Sequence, residues 1–375
     1  MASVQRTLLT FKGLRSNGAI PLIINKISHH QYSKSNKVGL FDGILYVNTS
    51  YLVSKPDSFI KRNFNKVSGY FGELRFLYKK RYKIGFAILY STYFLEYPYY
   101  FALSKIFGFK LVTQYVEMFS AIPGRRSFFT KINDRLIDRY IGTFCDGIIA
   151  ISDYLFDHIK KQESGIPVIK IPANSDFSKI NSIPALRSGA YLMYCGTIHY
   201  EEVIEFIISL FVKLRENCKY NGSLLLVISG DHEQNWNKLR SFINTLSFQQ
   251  DIIIKSNIQH NELVSTYKGA DILIIPLRDT IQDIARFPHK IGEYTAAKRP
   301  ILSTNLGEMK NYFIDGVSAV LADSYSLEAY YEKLSVVLSF RQLLDEIGLN
   351  GYTIGKNNFD YKAQGKMINK FIDDL

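Results

Sequence analysis

Cysteine is scarce in this chain, and no arrangement of it carries chemistry. Cys145, Cys195 and Cys218 are the three among 375 residues. Odd in number and at no metal or redox spacing, they read as reduced thiols of a cytosolic protein. Histidine is also sparse: the seven include the neighbours His29 and His30, but none stands i,i+4 to another beside acidic partners, so no protein-held metal is expected. Long hydrophobic runs are missing. The most apolar region, 84–109, is divided by Glu96 and Pro98 into pieces too short to span a bilayer, and it reads as a strand plus a core helix. The opening residues, MASVQRTLLTFKGLRSNG, lack the apolar core of a secretory signal. No repeat of solenoid length occurs, and no helix-turn-helix, zinc or RNA-binding signature, so no nucleic-acid partner is expected.

What is present is ordinary globular material, 47% hydrophobic and 21% charged, in a length that suits two domains. The net charge of +12 is unevenly spread. Residues 1–180 hold 26 Lys and Arg against 12 Asp and Glu, whereas 181–375 hold 20 against 22. Within the basic half, residues 55–83 carry nine cations and two acids interleaved with Phe and Tyr. Two readings stand: a solvated face, or a surface that meets anionic lipid headgroups.

Buried strands alternate with amphipathic helices along the chain, which predicts parallel α/β sheets. Strands are expected in IPLIINK, GILYV, IGFAILY, FKLVTQYVE, DGIIAIS and VIKIP, and helices in RTLLTFKGLRS, over 129–142 and in DYLFDHIKKQ. The polar stretch ANSDFSKINSIPALRSG interrupts the alternation and suggests a boundary near residue 180. The pattern then restarts with AYLMYCG, SLLLVISGD, DIIIKSN, DILIIPL and RPILST as strands. This gives one Rossmann-like domain over 1–180, a second over 181–355 and a closing helix over 356–375. Met367, Ile368, Phe371 and Ile372 give that helix an apolar face.

One short stretch, RFPHKIGEYTAAKRPILS at 286–303, carries the chemistry. Pro288 suits the first turn of a helix whose N-terminus, flanked by Arg286 and Lys290, makes a place for a diphosphate. Glu293 follows Lys290 by three residues and shares its face, where it can accept hydrogen bonds from ribose hydroxyls; a solvated ion pair is the duller alternative. Strands ending at Gly196, at Ser229-Gly230 and at Asn257 would gather at the same carboxyl edge.

In order and spacing, AYLMYCGTI, LLLVISGD, IQHNELVSTYKGADILIIPL, FPHKIGEYTAAKRPIL and DGIIAISDYLFDHI resemble the retaining glycosyltransferases of family 4, over essentially the whole chain. The resemblance implies the GT-B fold, two Rossmann-like domains facing each other across a cleft. It makes 1–180 the acceptor-side domain and 181–355 the donor domain, sends the closing helix over 356–375 back to the first domain, and implies a hexosyltransferase-type, metal-independent activity with no cofactor, taking a nucleoside diphosphate sugar as donor and a glycan or lipid-linked acceptor in cell-surface polysaccharide synthesis. A cytoplasmic protein follows, peripheral on the inner membrane face if 55–83 meets lipid. By residue, the resemblance implies Glu293 for the ribose, Lys290 and Arg286 for the diphosphate, the backbone near Ile258 for the base, and Gly196, Thr197 and Gly230 for close approach of the donor.

The chain departs from the pattern where the family's other glutamate would stand: that place is Ala285, with Asp283 or Asp279 as substitutes. Where many members carry Arg and Lys after the Gly196 strand, this chain has Thr197 and then Glu201-Glu202. Glu117, after FKLVTQYV, is a further catalytic candidate, with a buried structural carboxylate as the alternative reading. A catalytically silent relative and a sugar-nucleotide epimerase are therefore the competing readings. The first residues already read as a helix, so the central first strand of the first Rossmann-like domain is expected to be missing.

Overall fold

Why the alternation of the sequence becomes three sheets is visible in the computed structural model, which describes residues 2–26, 36–53, 56, 58–125, 127–162, 165–186 and 189–375. The His29–His30 pair lies outside the described residues, as do positions 55 and 57 of the basic stretch. The chain divides into two compact units, Met1–Ile151 with Leu155–Ile171 and Tyr361–Leu375, and Ser152–Tyr154 with Pro172–Asp360.

The first unit runs α1 (Ala2–Ser16), β1 (Leu22–Asn25), β2 (Val38–Phe41), β3 (Ile44–Asn48), α2 (Phe59–Lys80), β4 (Phe86–Leu89), α3 (Glu96–Phe107), β5 (Lys110–Tyr115), α4 (Phe128–Tyr140), β6 (Gly147–Ala150), α5 (Asp153–Lys160) and β7 (Val168–Lys170). Its strands form two sheets, β1-β3-β2 and β4-β5-β6-β7. All pair in parallel except β2, which runs antiparallel to β3. The expectations above omit β2. Its signal was Asp42-Gly43, both at positive φ (49° and 79°), the dipeptide that closes a tight hairpin. No ladder joins β1 to β4, and residues 2–16 are helical as the sequence predicts.

The last helix, α15 (Tyr361–Asp373), belongs to this unit and lies along α1. Ile368 and Ile372 join Leu14, Val112, Ile149 and Ile171 in one apolar cluster, whereas Met367 remains 49% exposed and takes no part in it. Glycine permits the approach: a Cβ on Gly13 would lie 2.3 Å from the Tyr361 carbonyl oxygen, and one on Gly365 2.2 Å from the Gly13 carbonyl carbon. Backbone cannot give way as a side-chain tip can. Gly365→Ala is therefore expected to destabilise the first unit by about 1–3 kcal/mol, the usual cost of overpacking, read as a lowered calorimetric melting temperature.

The second unit runs α6 (Phe177–Ser182), β8 (Tyr191–Thr197), α7 (Glu201–Glu216), β9 (Ser223–Ser229), α8 (Glu233–Asn244), β10 (Ile252–Lys255), α9 (His260–Gly269), β11 (Ile272–Ile274), α10 (Ile281–Ala285), α11 (Lys290–Ala296), β12 (Ile301–Thr304), α12 (Gly307–Tyr312), β13 (Val320–Ala322), α13 (Leu327–Leu338) and α14 (Arg341–Phe359). Its six strands are all parallel in the order β10-β9-β8-β11-β12-β13. Strands covered on both faces must be apolar throughout, and Leu192, Leu224, Leu226, Ile272 and Ile274 share one buried cluster with Ile204, Ile207 and Phe211 of α7. Short helix α6 falls inside the stretch read as a polar connection. Asp176 caps it by accepting from the Lys179 N–H, and Phe177 and Ile180 are buried.

Candidate active site

Because the sheet of the second unit is wholly parallel, the ends of β8 to β11 gather on one edge. The strand order reverses between β8 and β11, the place where α/β sheets receive ligands. Beyond β8 come Ile198, His199 and Tyr200; beyond β11 come Arg278 and α10. These segments meet through two arginines. The Arg286 guanidinium donates from Nη1 to the Tyr200 hydroxyl at 2.7 Å and lies 5.1 Å from the centre of that ring, with Arg278 5.7 Å from it.

Asp283 organises the pair. Its carboxylate is 1% exposed, and Oδ2 accepts from both the backbone N–H and Nε of Arg278 at 2.9 Å. Arg286 Nη2 stands 2.5 Å from Oδ1, an ion pair without hydrogen-bond alignment. Thr280 fixes the turn by capping α10, accepting from the Asp283 N–H at 3.3 Å. The bond to Asp283 raises the Arg278 pKa against the effect of burial. One carboxylate thus answers two guanidiniums, leaving positive charge at the strand ends. Glu202, whose Oε2 is 3.9 Å from Arg278 Nη1, is 86% exposed at the side chain and offsets little of it.

Helix α11 adds the third cation. Burial works against the charge on Lys290, but Cys195 and Glu293 beside it prevail and raise its pKa. Glu293 is 5% exposed, so it is no solvated partner of Lys290; the Tyr267 hydroxyl donates to its Oε2 at 3.4 Å. Tyr267 and Tyr294 are fully buried and their rings meet edge to face at 5.0 Å. The Tyr294 hydroxyl accepts from the Cys195 N–H at 3.2 Å, tying α11 to β8. Burial, then Cys195, pushes both phenols far above their usual range, so both stay protonated. The helix start differs from expectation. The N–H groups of Ile291 and Gly292 already donate to Pro288 and His289 carbonyls at 3.0 and 3.2 Å, leaving fewer backbone donors for an anion and more of that task to the three cations.

Residues 178–354 match the family described as glycosyl transferases group 1. The matched residues hold the whole of the second unit's sheet. An uncharacterized glycosyltransferase of Methanocaldococcus jannaschii is 20% identical over 256 residues, 65% of this chain, and the chain spans 64% of that relative's length. Sucrose-phosphate synthase from Thermosynechococcus elongatus matches in structure with a TM-score of 0.76 at 14% identity, over 99% of this chain and 92% of its own. Anabaena HepE, solved with UDP-glucose, matches with 0.69 at 12% identity over 98% and 95%. The chain has the GT-B fold, α/β with parallel sheets in two Rossmann-like units.

Within the matched residues, Gly196 and Thr197 end β8 half-buried, at the reversal point. A Cβ on Gly196 would fall 2.2 Å from the Tyr194 hydroxyl. Gly230 follows β9 at φ 111°, and a Cβ there would lie 2.9 Å from Ile198 Cγ2. Gly230→Ala is expected to cost about 1–3 kcal/mol in the stability of this domain, as strained backbone does, checked by urea unfolding. Ile258 follows β10, two strands from β8, half-buried after Asn257 at φ 56°. Ala285 is fully buried, its carbonyl accepting from the Ser152 hydroxyl at 2.5 Å, and Asp279 is exposed. Glu117 belongs to the first unit, half-buried beyond β5; after burial, its charge is the main influence raising the Tyr90 pKa. Arg278 and Tyr200 went unnoticed in the sequence. Arg278 stands directly after the apolar run DILIIPL, where a cation at a strand end was the available signal.

Among the described residues, no three His, Cys, Asp or Glu side chains converge as a metal-holding group, and no helix is long and apolar enough to cross a membrane.

Proposed function

We propose that the protein is a retaining glycosyltransferase of family 4 that moves a hexosyl group from a nucleoside diphosphate sugar to a glycan or lipid-linked acceptor in cell-surface polysaccharide synthesis. The observation that carries this reading is the pair Arg278 and Arg286, held by Asp283 beyond the strand ends at the reversal point of the second unit's sheet, with Lys290 and buried Glu293 on α11, which Tyr294 ties to β8. A diphosphate leaving group needs positive charge held in place before the reaction, so that no reorganisation is required as charge develops. The three cations supply it with no metal. The anomeric carbon–oxygen bond to the diphosphate breaks, the nucleoside diphosphate leaves onto these cations, and an acceptor hydroxyl adds at the anomeric carbon and passes its proton to the departing diphosphate oxygen.

Glu293, buried beside Tyr267, is suited to accept from ribose hydroxyls. Gly196, Thr197 and Gly230 admit the donor to the backbone, and Ile258 borders the base. Arg278 fills the need left by Glu201-Glu202, where the expected cations are absent. UDP-glucose in the HepE structure makes a uridine diphosphate sugar the first donor to try. In this reading the protein works at the cytoplasmic membrane face, held there through 55–83, and Glu117 faces the acceptor.

A silent, donor-binding relative is the second reading, favoured by Ala285 and by the engagement of Asp283 with two arginines. Incubation with uridine and guanosine diphosphate sugars, a polyprenyl-phosphate-linked sugar and a chelator separates the two. Transfer with retained anomeric configuration is the expected result; binding of a sugar nucleotide without release of its diphosphate under any condition supports the silent relative.

A further inference from the structure

Helix α2 is turned the wrong way round for a surface helix of a water-soluble domain. An amphipathic helix ordinarily buries its apolar stripe and exposes its polar face. Here the buried residues are Asn65, Gly69, Glu73 and Leu77. The exposed ones include Ile60 (78%), Phe64 (64%), Val67 (53%), Phe71 (69%) and Tyr78 (58%). At 3.6 residues per turn these five fall within about 60° of arc and form one stripe along the helix.

The rotation is locked. Asn65 exchanges hydrogen bonds with the backbone of Leu52, its Oδ1 accepting at 2.7 Å and its Nδ2 donating at 2.9 Å. The Tyr51 N–H donates to Ser68 Oγ, and Thr49 Oγ1 to the Gly69 carbonyl, both at 3.0 Å. Gly69 and Gly72 let the helix lie against backbone: a Cβ on either would fall 2.0 Å from the Lys26 carbonyl oxygen or 2.1 Å from that of Thr49. Any roll that buried the stripe would break these contacts and drive side chains into main chain. The apolar face is fixed outward.

Charge says what covers it. Lys61, Arg75 and Lys79 are exposed beside the stripe, Lys66 and Lys80 are exposed elsewhere on the helix and Lys83 just beyond it, while the one acid of the helix, Glu73, is 3% exposed on the side away from the stripe. At the end, Arg81 lies 4.3 and 4.4 Å over the rings of Tyr78 and Tyr82, aromatic residues of the kind that settle at a headgroup boundary. Resting on the reading that 55–83 meets lipid, we propose that α2 lies in the plane of an anionic bilayer with Ile60, Phe64, Val67, Phe71 and Tyr78 inserted below the headgroups and the lysines among them.

The test is co-sedimentation of the full chain with phosphatidylcholine vesicles and with vesicles containing phosphatidylglycerol. The wild type is expected to bind the anionic vesicles at least roughly ten-fold more tightly than the neutral ones. Phe64→Ser with Phe71→Ser is expected to weaken that binding by roughly ten-fold or more, the scale of losing buried apolar area. It should leave the melting temperature and nucleotide binding unchanged. A Phe71→Trp variant should shift its emission to the blue and be quenched by brominated lipid. Undiminished binding by the double serine variant, with the wild type still bound to anionic vesicles, overturns the insertion but leaves the lipid reading. Absence of any vesicle binding by the wild type overturns both, as does a wild-type dimer that the serine variant turns into monomers, which would make a second copy the cover. None of these outcomes touches the donor site, which nucleotide binding reports separately.

Discussion

Glu293→Ala is expected to weaken binding of a uridine or guanosine diphosphate sugar by roughly ten- to a hundred-fold. That is the value of one hydrogen bond to a charged acceptor, about 1.5–3 kcal/mol. The size follows from burial. At 5% exposure, with Tyr267 donating to one oxygen, the carboxylate has been removed from water before the ligand arrives, so a ribose hydroxyl replaces little solvent when it binds. Alanine also leaves the Tyr267 hydroxyl without this acceptor, so the variant must be compared with Glu293→Gln, which keeps an acceptor and loses only the charge. The glutamine variant should fall between wild type and alanine by calorimetric titration. Equal affinity in all three would remove Glu293 from the donor site and return it to a structural role beside Tyr267.

Asp283→Asn should have the larger effect on stability. Arg278 and Arg286 are both about four-fifths buried at the side chain and share this one carboxylate. Removing one partner of such a group typically costs about 3–5 kcal/mol, because the charges left behind keep their desolvation penalty and lose their compensation. In a unit of this size that corresponds to a fall of roughly 10 °C in its melting temperature. The site reading adds a signature that simple destabilisation lacks. A diphosphate binds where Asp283 has been neutralised, so inorganic pyrophosphate or a nucleoside diphosphate should restore more stability to Asp283→Asn than it adds to wild type. An equal shift in both proteins would place the arginine pair outside the anion site.

The fold was legible because burial on two faces leaves no freedom in composition. Runs such as LLLVIS and DILIIPL can only be central parallel strands, and they are β9 and β11. Strand β2 escaped because Val38 and Leu40 are exposed on an edge, so its composition says nothing, and only Asp42-Gly43 betrays it. The same limit hid the character of α2, whose sequence is amphipathic whichever way it faces; only the glycine contacts and the Asn65 bonds decide which face is out. In the site, Lys290 and Glu293 could be read from spacing because three residues of helix put them on one face. Arg278 offered only its place after DILIIPL, since it reaches Asp283 and Tyr200 through a turn and a strand end, which sequence distance does not encode.

The central claim is that the second unit receives a nucleoside diphosphate through Glu293 and the Arg278, Arg286 and Lys290 cations. The most direct measurement is the melting temperature of the full chain, without metal, across nucleoside mono- and diphosphates and the corresponding diphosphate sugars. Ligand at a hundred times its dissociation constant should stabilise the unit by about 2.7 kcal/mol, a rise of several degrees. The account predicts that rise for at least one diphosphate and its sugar, a much smaller one for the matching monophosphate, and its loss in Arg286→Ala. No shift with any diphosphate, or an equal shift with the monophosphate, would contradict it.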